Sequence, residues 1–344
     1  MAEMDIVMDR LMNNNKHNDE LLEILCYNKG FDNPERWLNY ARLHSFKKRE
    51  AVYCPLCPDC KGEEGKVIGQ YIHFNQLVRL RKCRLCGLAY SDVLLDENFW
   101  AEYFEDVYKN ETYFVEQRNL IYKGIISIIS KLVNRSRSFT AIDIGGAKGH
   151  LSHLISSYFP KSDTTLTDIS EEACRYAKEY FSLRVICCDI DGLKKLNKKY
   201  TLVLLIDSLY YSPAINDAWK TISQMVDDDG SLILRLPNKL WGVICCQKML
   251  RLISSKARKG MQDKIIGINP EHIRFFSVRY LRDRISNLGF HSFTVYPSPP
   301  LLPLHPLKRV LARLFWILAI SLYELSFGKV LITPSIIVTA KKRV

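Results

Sequence analysis

The sequence predicts an α/β fold, a doubly wound and mostly parallel sheet of seven strands, preceded by a small cysteine-bearing module. Seven strand-like apolar runs follow Ser138: FTAIDI, DTTLTDI, LRVICCDI, TLVLLID, SLILRL, HSFTVY and SIIVTA. Helical stretches such as HLSHLISSY and SEEACRYAKEYF separate the early runs, and this alternation builds a parallel sheet covered by helices on both faces. The runs are continuous in β-branched residues and leucine, as strands buried on both sides are. Ahead of them, two cysteine pairs flank a Gly-containing, strand-like stretch (KVIGQYIHF, then LVRLRKC).

At 344 residues the chain exceeds one typical domain of about 100–200 residues. Its 47% hydrophobic and 25% charged content exclude wholesale disorder. Residues 1–50 read as short helices without evident chemistry, with Leu21, Leu22, Ile24 and Leu25 and later Trp37, Tyr40, Ala41 and Leu43 as their apolar positions. Residues 51–95 form the cysteine module. Residues 96–136 are a helical linker or cap, with an aromatic-rich helix at Asn98–Tyr113 and a second at Leu120–Leu132. The sheet domain takes residues 137–344, with insertions at about 239–269 and 297–330. The second insertion is rich in proline (Pro297, Pro299, Pro300, Pro303, Pro306) and carries a helix, Leu307–Phe327, stopped by Gly328.

The net charge of +12 is unevenly placed. From Arg235 onward 19 Lys or Arg face 4 acids, a balance of +15, which leaves −3 for everything before it. Such asymmetry suits a negatively charged partner, whether nucleic acid, an anionic membrane surface or a phosphorylated substrate, and it also suits a solvated basic face. The first 30 residues hold acids and asparagines where a secretory signal needs a long apolar run. No stretch reaches the roughly 18 apolar residues of a spanning helix. The expected location is therefore cytoplasmic. In Leu307–Phe327, Lys308, Arg309 and Arg313 lie beside Val310, Leu311, Leu314, Phe315, Trp316, Ile317 and Leu318. That composition suits peripheral contact with a membrane interface, and it suits a helix packed on the sheet equally well. Lys256 to Lys264 would grip a phosphorylated or lipid-linked acceptor, or form a solvated loop.

The segment FTAIDIGGAKGHLSHL (Phe139–Leu154) places an acid in a strand, then glycines, then a helix start. Glycines permit a sharp turn and close approach of a ligand, and the first amides of the helix point at what is bound. Asp168 ends the next run, Asp189 the third and Asp207 the fourth. Acids at the carboxyl ends of successive parallel strands line the crevice where open α/β sheets bind ligands, and one near Asp168 can accept both hydroxyls of a ribose. Capping of the following helices explains one or two such acids but not the set. A dinucleotide fingerprint, G-x-G-x-x-G, is one residue longer than the G-G-A-K-G found here.

Asp143, Gly145, Gly146 and Gly149 in D-I-G-G-A-K-G-H resemble motif I of class I methyltransferases that use S-adenosylmethionine (SAM), with Ala147 in place of the middle glycine. D-D-D-G-S-L-I-L-R-L-P-N (Asp227–Asn238) resembles the strand after the fourth helix. P-E-H-I-R-F-F-S (Pro270–Ser277), with Ile285–Phe290 beyond it, resembles the fifth helix and sixth strand. The resemblance covers roughly Ser138 to Ala340 and implies a Rossmann-like domain. It implies that Asp143 and the Gly145–Gly149 loop flank the methionine part of SAM, that Asp168 with Ile169 holds the ribose, that Asp189 with Ile190 meets the adenine, and that Asp207 borders the acceptor pocket. Where many relatives have Glu-His after the fourth-strand acid, this chain has Tyr210 and Tyr211.

Cys54-x2-Cys57 and Cys83-x2-Cys86 form two knuckles, and four thiolates so paired complete a tetrahedron around zinc with no open position, a structural site. Cys60 lies at the same spacing beyond Cys57 and is the alternative to Cys54; C-P-L-C is the more usual knuckle wording. Cys187, Cys188, Cys245 and Cys246 sit in apolar surroundings and read as core.

A zinc ribbon ending C-x-x-C-G-L-x-Y, an aromatic-acid helix (W-A-E-Y-F-E-D-V-Y) and then a SAM domain resemble bacterial methyltransferases of sugar and cell-surface glycan pathways. The resemblance implies that Tyr108 or Tyr113 lies near SAM and that Glu271 with His272 serves as the acid/base pair. It also implies a small-molecule, sugar or glycan-intermediate acceptor. The further C-terminal domain of sugar C-methyltransferases is not expected here, which sets their exact activity apart from the one expected. An RNA methyltransferase, with the zinc module and basic half holding nucleic acid, is the competing expectation. Two features weigh against it: the module is not the basic part, and no N-P-P-Y-like motif follows the fourth strand.

Overall fold

Alternate residues of a strand point to opposite faces, and the central strands of this chain fill both faces with apolar side chains. In the computed structural model, which describes residues 51–73, 76–95, 99–110, 115–238, 273–303 and 305–342, strand β9 (Tyr200–Ile206) sends Leu202 and Leu204 to one side and Val203 and Leu205 to the other. Strand β10 (Val226–Pro237) does the same with Ile233 against Leu232 and Leu234. Each face then needs helices. On the first, α2 (Val115–Leu132) and α3 (His150–Tyr158) supply Ile121, Ile125, Ile129, Leu151 and Ile155. On the second, α5 (Ile215–Met225) and α6 (Val278–Asn287) supply Trp219, Ile222, Leu281 and Ile285.

The remaining strands of this sheet are β6 (Phe139–Ile144), β7 (Ser162–Asp168), β8 (Arg184–Cys187), β12 (Phe290–Pro297) and β13 (Ser335–Lys342). The spatial order is β12-β13-β10-β9-β6-β7-β8. Neighbours from β10 to β8 pair in parallel, whereas β13 runs antiparallel to both β10 and β12. This is the expected Rossmann-like, mostly parallel seven-stranded sheet. Helix α4 (Glu171–Phe181) follows β7, capped by Ser170, whose Oγ accepts from the Ala173 amide at 3.2 Å.

The cysteine module is built from β1 (Ala51–Tyr53), β2 (Lys66–His73), β3 (Gln76–Lys82), β4 (Ala89–Ser91) and β5 (Val93–Leu95). β1 pairs with β5, while β2, β3 and β4 form an antiparallel sheet. The expected aromatic helix is α1 (Phe99–Asn110). A fourth strand joins the module's sheet from an unexpected place: β11 (Arg274–Phe275) pairs with β4. The sequence reading gave Pro270–Ser277 to the fifth helix. The helix instead begins after Ser277, whose Oγ accepts from the Tyr280 amide. Ahead of it Arg274 is buried, donating to the carbonyls of Ile273 and Pro213.

Module and sheet domain consequently share one core. Cys57, Cys83, Leu88 and Tyr90 belong to the same buried cluster as Trp219, Tyr280 and Leu281. Asp59, buried in the module, pairs with Arg284 of α6 at 3.2 Å. The last helix, α7 (Pro306–Leu325), lies beside edge strand β12, with Tyr323 Oη donating to the Val295 carbonyl at 2.6 Å. No helix among the described residues is long and apolar enough to cross a membrane. Residues 1–50, Tyr113 and the 239–269 insertion, with Lys256–Lys264, lie outside the described residues.

Candidate active site

The turn after β6 sets the site. Gly145 (φ +72°), Ala147 (φ +53°) and Gly149 (φ +82°) all take left-handed backbone, and the amides of Gly145 and Gly146 donate to the Thr167 carbonyl of β7 at 2.8 and 3.0 Å. A Cβ at Gly145 would stand 2.5 Å from that of Ser208, so here glycine is required twice over. Gly146 and Gly149 are close-packed against protein instead: added Cβ atoms would meet Asp143 Oδ2 at 2.8 Å and Leu183 Cδ1 at 2.8 Å respectively. Of the three, Gly145 lines the cavity described next.

At the carboxyl ends of the parallel strands a cavity of about 590 Å³ opens, a volume suited to a cofactor-sized ligand. One wall comes from the ends of β7, β8 and β9: Asp168, Ile169, Asp189, Ile190 and Asp207. Asp168 is 5% exposed, with Oδ2 accepting from the Ala147 amide at 2.8 Å and Oδ1 from the Ser170 amide at 3.0 Å. The Ile169 backbone amide bonds the carboxylate as well, so of its about four acceptor positions one stays open to a ligand. Burial pushes its pKa up to about 6 against those amide bonds. Asp189 Oδ1 caps the Gly192 amide at 2.7 Å, so this acid does cap a turn while also lining the cavity.

Asp207 stands at the cavity, where the sequence put it, and Asp143 does not. Asp143 lies fully buried under the turn, its Oδ2 accepting from Ser152 Oγ of α3 at 2.7 Å and its Oδ1 without a partner among the described residues. Burial raises its pKa to about 6, the Ser152 hydrogen bond opposes this, and Asp168 adds to it. Asp207 lines the cavity with left-handed backbone (φ +61°), held there by ion pairs to Arg235 and, at 3.5 Å, Arg118. The two guanidiniums fix the carboxylate in place at the cavity wall.

The opposite wall is aromatic. Trp100, Phe104 and Tyr108, one turn apart on α1, line it together with Tyr211. Trp100 and Phe104 stack at 6.0 Å, Phe104 and Tyr108 at 6.1 Å, and Tyr211 meets Trp100 at 5.1 Å and Phe104 at 5.0 Å. Glu105, on the same helix, fixes this wall in place: its Oε2 accepts from Ser170 Oγ at 2.6 Å and the Glu172 amide at 3.0 Å at the start of α4. Val52 of β1 and Leu94 of β5 complete the lining from the cysteine module. The sequence reading found Tyr108 but missed Trp100, Phe104, Val52 and Leu94. The W-x3-F-x3-Y spacing was the available signal for the first two. Glu271 and His272, the acid/base expectation, lie outside the described residues.

In the module, Cys57, Cys60, Cys83 and Cys86 bring their sulfurs within 4.8 Å of one another. Cys57 and Cys86 lie 3.6 Å apart, as do Cys60 and Cys83. Four sulfurs about 2.3 Å from one zinc ion would be spaced by about 3.8 Å, so the donor set suits that metal. The expected Cys54 is replaced by Cys60. Cys54 is tied to the β1–β5 pair, its amide donating to the Asp92 carbonyl at 2.7 Å, while the turn closed by Lys61 N to Cys57 O at 3.0 Å presents Cys57 and Cys60 together.

A methyltransferase-domain family model matches residues 114–294, more than half of the chain. The chain belongs to the methyltransferase-domain family. Similar solved structures include a SAM-dependent methyltransferase, possible histamine N-methyltransferase, from Thermotoga maritima; it is 16% identical, covers 71% of this chain and 100% of its own, and gives a TM-score of 0.44. Another is the magnesium protoporphyrin IX methyltransferase of Synechocystis PCC 6803 with bound SAH, 17% identical, with 72% and 100% covered and a TM-score of 0.45. No curated protein matches this methyltransferase significantly. Open α/β sheets bind their ligands along the carboxyl ends of their strands, here the strand-end wall. Thr167 Oγ1, buried on that side without a partner among the described residues, and the remaining acceptor position of Asp168 fit a hydroxyl-bearing ligand. The apolar Ile169 and Ile190 fit a flat ring.

Proposed function

We propose that this methyltransferase transfers the SAM methyl group to a small sugar or glycan-intermediate acceptor whose neutral part seats against the aromatic wall, and that the four cysteines hold a structural zinc ion. The carrying observation is the two-sided cavity, with acids and isoleucines at the strand ends facing Trp100, Phe104, Tyr108 and Tyr211. Asp168 would hold the ribose and Asp189 the adenine edge. SAM, when bound, supplies the electrophilic methyl group, and the protein's task is to align an acceptor with it and exclude water. Aromatic faces carry negative quadrupole charge, which attracts both the polarised C–H faces of a sugar ring and a cationic donor. For a hydroxyl or acidic-carbon acceptor a base is required, and His272 with Glu271 remains the nominee. His272 is one peptide bond from Ile273, which packs with Phe99, Trp100 and Tyr211 beside the aromatic wall.

The RNA reading lacks such support. Among the described residues the cavity lining holds no Lys or Arg, while Asp168, Asp189, Asp191 and Asp207 contribute to it. A phosphate backbone entering there would meet acids.

Labelled SAM offered to glycan, lipid and RNA fractions tests the acceptor class. Label entering the glycan or glycolipid fraction is expected, and label confined to RNA would overturn the reading. Once an acceptor is in hand, Trp100→Ala should raise its KM about tenfold, the order of one lost aromatic contact, with SAM affinity changed little.

A further inference from the structure

Helix α7 is notable for what it leaves uncovered. Arg309, Ala312, Trp316, Ala319, Ile320 and Tyr323 recur at three- and four-residue steps and form its packed side. On the other side Leu307, Val310, Leu311, Leu314, Ile317 and Leu318 are each 53–64% exposed. At 3.6 residues per turn these six span an arc of about 120°, and with Leu322 and Leu325 the stripe runs about 27 Å. Monomeric proteins rarely present contiguous apolar patches of this kind to water.

Charge says which occupant suits it. Lys308, Arg309 and Arg313 lie in the first two turns, with Lys308 and Arg313 on opposite flanks of the stripe, and the one acid of the helix, Glu324, sits near its far end. A helix lying in a bilayer interface buries such a stripe among acyl chains and sets flanking cations at the level of the phosphates. The place of the helix in the fold agrees. It is strung between the carboxyl end of β12 and the start of β13, where Pro297 pairs with Ile336 and Pro237 with Ser335. That is the sheet edge at which the cavity opens. The strap leading into α7 is bonded to the cavity's own framework: Arg235, ion-paired with Asp207, donates to Ser298 Oγ at 2.8 Å and to the Pro299 carbonyl at 3.5 Å.

We propose that α7 docks this enzyme on an anionic phospholipid surface, with the cavity edge of the sheet turned toward the headgroups. The inference stands on the helix and its placement and needs no particular acceptor. The test is flotation of the full chain with vesicles of phosphatidylcholine alone or with one-third phosphatidylglycerol, at low and high salt. Binding to the anionic vesicles is expected, weakened by salt. Leu314→Glu with Ile317→Glu should reduce it more than tenfold, since each inserted charge opposes burial in hydrocarbon. Lys308→Glu with Arg313→Glu should abolish the preference for phosphatidylglycerol. SAM titration into each variant, unchanged from the parent, shows that the fold is kept.

Failure to float with anionic vesicles overturns the proposal, as does equal binding by the Leu314→Glu/Ile317→Glu variant. Light scattering that finds a dimer which the same variant splits would also overturn it, since a second copy then covers the stripe. Absence of SAM binding in the parent chain would sink the cofactor assignment instead and leave the flotation result readable.

Discussion

Asp143 and Asp168 show how far a single residue can be read from its place in a chain. Both were expected to flank the ligand, and both carry pKa values raised to about 6 by burial. Asp168 ends β7 and lines the cavity. Asp143 shares the parity of Phe139 and Ala141 in β6, the side packed by α2 and α3, so it meets Ser152 rather than the cavity. Spacing along the chain identified the acids; period-two alternation, which depends on which face each strand turns inward, decided their use. A carboxyl whose folded pKa lies above its unfolded value takes up its proton first in the folded state, so stability contributed by these groups declines as pH rises from about 4 to about 6. Asp143→Asn should flatten that slope in ligand-free melting curves, by an amount on the order of 1–3 kcal/mol. SAM affinity should move the other way. It should weaken as pH falls through about 6, because a protonated Asp168 loses acceptor capacity. Calorimetry from pH 8 to pH 5 checks this, and a flat profile would remove Asp168 from the ribose role.

Among elements, α1 was legible and β11 was not. Trp100, Phe104 and Tyr108 recur at helical spacing, and a helix with an aromatic stripe must find a cover or become one. What docks it was hidden, because Glu105 acts on Ser170 and Glu172, partners that only the folded chain brings close. The carboxylate also sits at the positive end of α4, where the helix dipole favours it. Glu105→Gln should therefore cost about 1–2 kcal/mol and raise the acceptor KM several-fold by loosening the wall; an unchanged KM would show that α1 is held by its packing alone. β11 escaped the sequence reading for the reverse reason. Its two paired residues, Arg274 and Phe275, carry no strand signature by themselves and are extended because β4 and the Pro213 carbonyl receive them.

For the whole molecule, the seven-strand alternation announced the sheet, whereas the union of cysteine module and sheet domain rests on contacts remote in sequence. Asp59 to Arg284, Tyr90 beside Trp219's cluster and β4 to β11 make one folding unit of them. Val52 and Leu94 carry that union into the cavity. Cys60→Ser should lower zinc content measured by mass spectrometry, reduce thermal stability in a single shared transition and raise the acceptor KM. Cys54→Ser should leave the metal content as it was; loss of metal in that variant would restore Cys54 to the ligand set.

The reversal of β13 has a practical outcome. Because it runs against its neighbours, Lys341 stands opposite Ser231 and Lys342 opposite Phe290, at the amino ends of the parallel strands. A linker joined beyond Lys342 would thus leave from the floor of the protein, about 20 Å below the rim where ligands enter. Immobilised through that point, the enzyme would present its mouth and its bare helix outward together.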